Sequence, residues 1–237
     1  MSEKLKNSNS YSIVNTVEGL LEILQKEKKI QLELCSKMME ADSSKLYPLD
    51  LLALGAVNRS LSLIRGFCTL IESRNLQCAA PLLRMQLDNA LRFFAAFLVE
   101  DPHEFVIQIL KGKQVRNLKD RKNNKMTDYY LVEQLSVKHE WVKSVYHETC
   151  SFVHLSNKHI FATAKKIEPK ERVVENSISE FEANVPETMY QEAVMAFISA
   201  SRLFNHYLDG WVFTKDNPDL VDKMKAEMSQ DEIDNYS

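Results

Sequence analysis

The sequence predicts an all-α protein, a multi-helix bundle. Three observations carry this. The chain has 237 residues but only 5 Gly and 6 Pro, too few of these breakers for a sandwich, a barrel or a Gly-rich nucleotide loop. Apolar residues recur at three- and four-residue steps over most of its length. No repeat returns at a fixed period, so a solenoid is disfavoured and a single bundle-like domain favoured. Hydrophobic residues make up 45% and charged residues 27%, ordinary for a globular chain and too apolar for disorder.

The elements follow in order. Val17, Leu20, Leu21, Leu24, Ile30 and Leu34 mark a long N-terminal amphipathic helix over about 12–40, interrupted at Asp42 and at Tyr47-Pro48. A core of helices spans about 49–210. Leu52, Val57, Leu61, Ile64, Cys68 and Ile71 face inward on a helix over 49–73. Asn75 ends it, and Pro81 suits the first turn of the next helix, where its missing N–H costs least. Leu83, Leu87, Ala90, Leu91, Phe94, Phe97 and Leu98 form the widest apolar stripe in the chain, and Asp101-Pro102 stops it. A short helix over 103–110 follows, then an aperiodic basic loop over 111–125. Thr127 and Asp128 cap a short helix to 135. Another helix runs over 137–155, with Trp141, Val142, Val145, Phe152 and Val153 on one side. From 160 to 179 the β-branched runs around Pro169 predict a small β-hairpin packed on the helices. Pro186 opens a last long helix to 208, burying Met189, Ala193, Ala196, Phe197, Ala200 and Phe204, and Gly210 ends it. The domain is placed at 1–215, with an acidic tail over 216–237.

The net charge of −3 gives no global pull toward nucleic acid. The asymmetry is local. Residues 111–125 hold seven basic residues (Lys111, Lys113, Arg116, Lys119, Arg121, Lys122 and Lys125) against Asp120 alone. The tail holds seven Asp/Glu against Lys223 and Lys225. Two readings stand: a solvated loop beside a frayed tail, or a phosphate-binding loop with which the tail competes. The first residues are polar, without the apolar core of a signal peptide, and the longest unbroken apolar run, Phe93 to Val99, is far short of a membrane span. Cys35, Cys68, Cys78 and Cys150 form no C-x-x-C pair, so they are read as reduced thiols of a cytoplasmic protein. No membrane partner is expected.

Motifs for a P-loop, a dinucleotide fold, a zincin or an α/β-hydrolase are missing from the sequence. Two polar segments stand out. Arg84 and Asp88 lie four residues apart beside the apolar stripe, as an intrahelical ion pair or as part of a site. Downstream, Tyr146, His147, Cys150, Ser151, His154 and Ser156 lie close together. His147, Cys150 and His154 share one helical side, but with no fourth ligand at hand a metal site is not expected, nor is any cofactor.

In this order and separation the two segments resemble a helical bacterial family whose members carry an Arg, an acid four residues on, then a Tyr, small residues and His-x-Ser. The matching positions are Arg84, Asp88, Tyr146, His154 and Ser156, with Cys150 or Ser151 at the small-residue place. The resemblance covers roughly residues 50–210. That family is similar in organisation to HEPN-like helical domains, which dimerise and often act as metal-independent ribonucleases or as toxin and defence components. It implies a homodimer and RNA as partner. It also implies a catalytic set of Arg84, Asp88, Tyr146, His154 and Ser156, in which His154 moves the proton, Arg84 stabilises charge on the phosphorane, and Tyr146 and Ser156 orient His154 or the phosphate. One departure is visible: no Arg precedes His147, His154 or His159 at the HEPN spacing, and Arg202 precedes His206 with only three residues between. The alternative is a non-catalytic module, whose polar residues fix helix packing or line a pocket for a small ligand or a partner.

Overall fold

The computed structural model describes residues 16–154, 156, 159–160, 164–168, 173–176, 178–179, 182 and 185–220. The start of the expected N-terminal helix, the turn of the expected hairpin and the tail beyond 220 lie outside the described residues. The fold is mostly helical, of the all-α class. In chain order the helices are α1 (Val17–Ser44), α2 (Pro48–Glu72), α3 (Leu76–Phe94), α4 (Pro102–Leu110), α5 (Asp128–Ser136), α6 (Trp141–Val153) and α7 (Glu187–Asp216). Between α6 and α7, β1 (Ala164–Glu168) and β2 (Val173–Asn176) pair antiparallel, with Ile167 opposite Val174.

Side-chain caps set most helix starts. Thr16 accepts from the Gly19 N–H, Asn75 from Cys78, Thr127 from Tyr130, and Asp101 from both His103 and Glu104. Each satisfies donors that a helix end would otherwise leave unpaired. At α2, Pro48 stands in the first turn and Asp50 reaches back to the Tyr47 N–H at 2.8 Å. The regular course of α1 ends where Asp42, Ser43 and Ser44 turn left-handed, with φ of 47°, 57° and 61°. α3 starts at Leu76, so Pro81 lies a turn deeper than the sequence suggests. The carbonyl it leaves without a donor is that of Gln77, an exposed residue, where water can serve instead.

α7 packs along α1 and α3, and α2 and α6 lie against α3. One apolar cluster joins Met38, Leu49, Leu87, Phe93, Phe204 and Trp211. A second joins Leu24, Ile64, Phe67, Tyr190, Val194 and Phe197. Trp141 and Val145 of α6 touch both. Phe67 and Phe197 have ring centroids 4.2 Å apart, and Phe93 and Phe204 5.5 Å, close aromatic contacts that add to burial. By length and composition α2 alone among the described helices could cross a membrane. Here its inner face is core, with Ile64 and Phe67 fully buried.

Two expectations about helix ends are corrected. α7 does not stop at Gly210 but runs to Asp216. A helical glycine costs only about 1 kcal/mol, and the turn beyond it is held by buried groups. Lys215, fully buried, donates to Asp50 Oδ2 at 2.9 Å and to the Met38 carbonyl at 2.8 Å, and Trp211 Nε1 donates to Asp50 Oδ1 at 2.8 Å. The stretch 137–155 is not one helix. α6 begins only at Trp141, after a turn in which Val137 is 79% exposed, and Val153 is exposed too. Met189 likewise faces out, while its neighbour Tyr190 fills the core.

Polar bonds tie the remaining layers. Glu27 of α1, nearly buried, receives Arg202 Nε at 2.7 Å and Asn205 Nδ2 at 3.2 Å from α7. Glu182 accepts from the Leu76 and Gln77 N–H groups at 2.8 and 2.7 Å and from the Tyr190 hydroxyl at 3.0 Å. It therefore fastens the chain between β2 and α7 to the N-terminus of α3, where a negative charge is favoured.

Candidate functional site

Arg84, Asp88 and Arg92 recur at four-residue spacing, so α3 carries them in one row beside its buried stripe. The row is half-buried, and it meets residues from three other helices. Asp88 Oδ2 receives Arg59 Nη1 of α2 at 3.2 Å, and its Oδ1 receives Arg92 Nε at 3.1 Å. Asp128, the first residue of α5, binds Arg92 Nη2 through one oxygen and Arg84 Nη2 at 3.5 Å through the other. The guanidinium carbon of Arg84 stands 4.0 Å from the centre of the Tyr146 ring on α6, a cation–π contact.

The expected Arg84–Asp88 ion pair is therefore not formed. Asp88 takes the other arginine at four-residue spacing, Arg92, together with Arg59. Arg84 turns instead toward α6 and Asp128. Its side chain is only 13% exposed. Burial alone would disfavour its charge, but the Tyr146 hydroxyl, hydrogen bonding with Cys150 and the nearby Asp88 carboxylate outweigh that and push its pKa up. The structure thus brings Arg84, Asp88 and Tyr146 into one network.

His154 and Ser156 are placed differently. His154 is the residue that ends α6. It is exposed, and its N–H returns to the Cys150 carbonyl at 3.4 Å. Ser156 donates its hydroxyl to the Ser151 carbonyl at 2.8 Å and its N–H to Nδ1 of His159 at 3.2 Å. His147 stands edge-on to Tyr146, centroids 5.9 Å apart. Among the described residues no group of three His, Cys, Asp or Glu could hold a metal, and the four cysteines are free thiols.

The basic stretch 111–125 has a defined path. Val115–Asn117 forms a 3₁₀ turn, and Lys119 and Lys125 face each other in a short antiparallel bridge. Asp120 is its keystone. The carboxylate accepts from the Lys122 and Asn124 N–H groups at 3.0 and 2.8 Å and from the Tyr130 hydroxyl. Burial pushes the Asp120 carboxyl up, but the bonds from Tyr130, Asn124 and Lys122 hold it below its ordinary value. Arg121 crosses to the carbonyls of Phe97 at 2.8 Å and Leu98 at 3.2 Å, closing the end of the α3 stripe. Lys119 reaches Asn123 at 2.6 Å and Arg116 reaches Gln114 at 2.8 Å. All seven basic side chains are exposed, whereas Asp120 is buried.

Sequence reasoning missed Arg59, Arg92 and Asp128. Arg92 carried a signal, since it stands at the same spacing from Asp88 as Arg84 does. Arg59 and Asp128 join from other helices, and only the fold shows it. On the other side of α6 from Arg84, an apolar pocket of about 220 Å³ opens between α3, α6 and α7, lined by Leu83, Val145, Phe152 and Ala193 among others. No family model, curated protein or solved structure matches the chain.

Proposed function

We propose that this protein is a non-catalytic, HEPN-like helical module that binds RNA, working as a homodimer in the cytoplasm and belonging to the defence-related type its motifs resemble. The observation that carries RNA binding is the build of the 111–125 arm. Its one carboxylate, Asp120, is turned inward and consumed by Lys122, Asn124 and Tyr130. Its cations are left outside on an ordered backbone. Such an arm neutralises phosphates along a strand and makes binding depend on salt.

What favours binding over cleavage is the sequence spacing: no Arg precedes His147, His154 or His159 at the distance the HEPN ribonuclease pattern requires. Arg84 is engaged by Asp128 and Tyr146. His154 stands exposed at the end of α6.

The test pairs a gel-shift titration with a cleavage assay on the same structured and single-stranded RNAs, in EDTA. The reading expects retention that weakens steeply with salt, and no cleavage by the wild type or by His154→Ala. Cleavage by the wild type that His154→Ala abolishes would replace it with the ribonuclease reading. Retention that is absent at low salt would leave neither.

A further inference from the structure

We infer that Arg59, Arg84 and Arg92 form a binding site for a phosphate group, either the terminal phosphate of a nucleic acid strand or free phosphate. The inference rests on the RNA-binding reading only for the first of these sources.

The charge count of the network is the starting point. Three guanidiniums face two carboxylates, and all four carboxylate oxygens are already engaged: Asp88 by Arg59 and Arg92, Asp128 by Arg84 and Arg92. Among the described residues one positive charge is unmatched. Donors are in surplus as well, because each guanidinium carries five N–H groups. Arg59 spends Nη1 on Asp88 and keeps a side chain 40% exposed. Arg84 holds Asp128 only at 3.5 Å, longer than a well-made charge-assisted bond. Among the described residues, Nη1 of Arg92 has no hydrogen-bond partner.

Unmatched positive charge on partly buried side chains raises the local concentration of anions. Planar guanidinium forks suit the paired oxygens of a phosphate better than any other common anion receptor in proteins. The site also continues the basic arm. Lys125 precedes Asp128 by three residues, at most about 11 Å of chain, so a strand tracking the arm would be delivered to the cluster.

The test is isothermal titration with inorganic phosphate against chloride at matched ionic strength. Wild type is expected to show saturable phosphate binding that chloride does not compete away. Arg59→Ala removes the most exposed member of the three. It is expected to weaken phosphate at least about tenfold, the worth of one charge-assisted hydrogen bond, with Arg59→Lys between the two and circular dichroism unchanged in both. Asp128→Asn raises the surplus from one positive charge to two and is expected to tighten phosphate. Phosphate that binds no better than chloride, or equally well to wild type and Arg59→Ala, would overturn the inference.

A short RNA with a 5′-phosphate, compared with its 5′-hydroxyl twin, separates the sources. Tighter binding of the phosphorylated strand, lost in Arg59→Ala, identifies a strand end; equal binding of the two strands beside saturable inorganic phosphate identifies free phosphate. A variant with Lys111, Lys113, Lys122 and Lys125 changed to Gln keeps the two conclusions distinct. If it retains RNA as wild type does, the arm reading fails whatever the phosphate titration shows.

Discussion

Replacing Arg84 tests whether this residue is held for structure or for chemistry. Its guanidinium, 4.0 Å from the centre of the Tyr146 ring and 13% exposed, makes a largely desolvated cation–π contact worth about 1–2 kcal/mol. The link to Asp128 spans 3.5 Å to a carboxylate whose side chain is 36% exposed, which discounts it to about 0.5 kcal/mol. The buried aliphatic stem adds about 1 kcal/mol. Arg84→Ala should therefore cost about 2.5–3.5 kcal/mol, a fall in Tm of roughly 5–14 °C for a chain of this size. Arg84→Lys keeps the charge and stem but not the flat face, and should fall between. The assay is urea unfolding read by circular dichroism, run as a double-mutant cycle with Tyr146→Leu. The cycle should return a coupling of about 1–2 kcal/mol, because the two side chains touch. An Arg84→Ala protein within about 0.5 kcal/mol of wild type and uncoupled to Tyr146 would refute the structural role. It would then point to an arginine retained for reaction.

The buried Asp50–Lys215 pair should be among the most sensitive points of the fold. Lys215→Met leaves a carboxylate without its counter-charge and should cost about 3–5 kcal/mol, while Asp50→Leu with Lys215→Met should recover part of it; both are read from urea midpoints. Asp120 has a depressed carboxyl pKa, so its contribution is present above the unfolded value near pH 4 and is lost as pH falls through the lower folded value. Stability measured from pH 6 to 3 should fall less steeply in Asp120→Asn, which should also loosen the arm at neutral pH. Changing Lys111, Lys113, Lys122 and Lys125 to Gln should lower the slope of log affinity against log salt for single-stranded RNA by up to about 3. His154→Ala, at an exposed helix end, should change stability by no more than about 0.5 kcal/mol in thermal melts.

The helices were legible because each buries one face, and burial writes its period into the residue order. Leu83, Leu87, Ala90, Leu91 and Phe94 of α3 are read correctly from spacing alone, and all five are buried. The errors lie where a local signal was overruled from a distance. Gly210 reads as a stop, yet α7 continues because Trp211 and Lys215 are fixed by Asp50, more than 160 residues earlier in the chain. Val137 reads as the first apolar residue of α6, yet no surface meets it. A glycine's cost is about 1 kcal/mol, and a buried ion pair with a satisfied indole outweighs that easily; no rule confined to neighbouring residues can see the second quantity.

The same limit explains the candidate site. Spacing along α3 offered Asp88 two arginines of equal standing, Arg84 and Arg92, and gave no ground for choosing between them. The choice is made by what lies opposite. α6 sets the Tyr146 ring against the position of Arg84, where a desolvated guanidinium keeps its charge beside an aromatic face. α5 sets Asp128 where it can reach both arginines, and α2 supplies Arg59 to fill the second oxygen of Asp88. A pair that the sequence offered either as an intrahelical ion pair or as part of a site thereby becomes, among the described residues, a network with one charge to spare. Its chemistry follows from that surplus. A neutral intrahelical pair would have no use for a ligand, whereas a cluster of three arginines on two aspartates gains from every anion that can reach it.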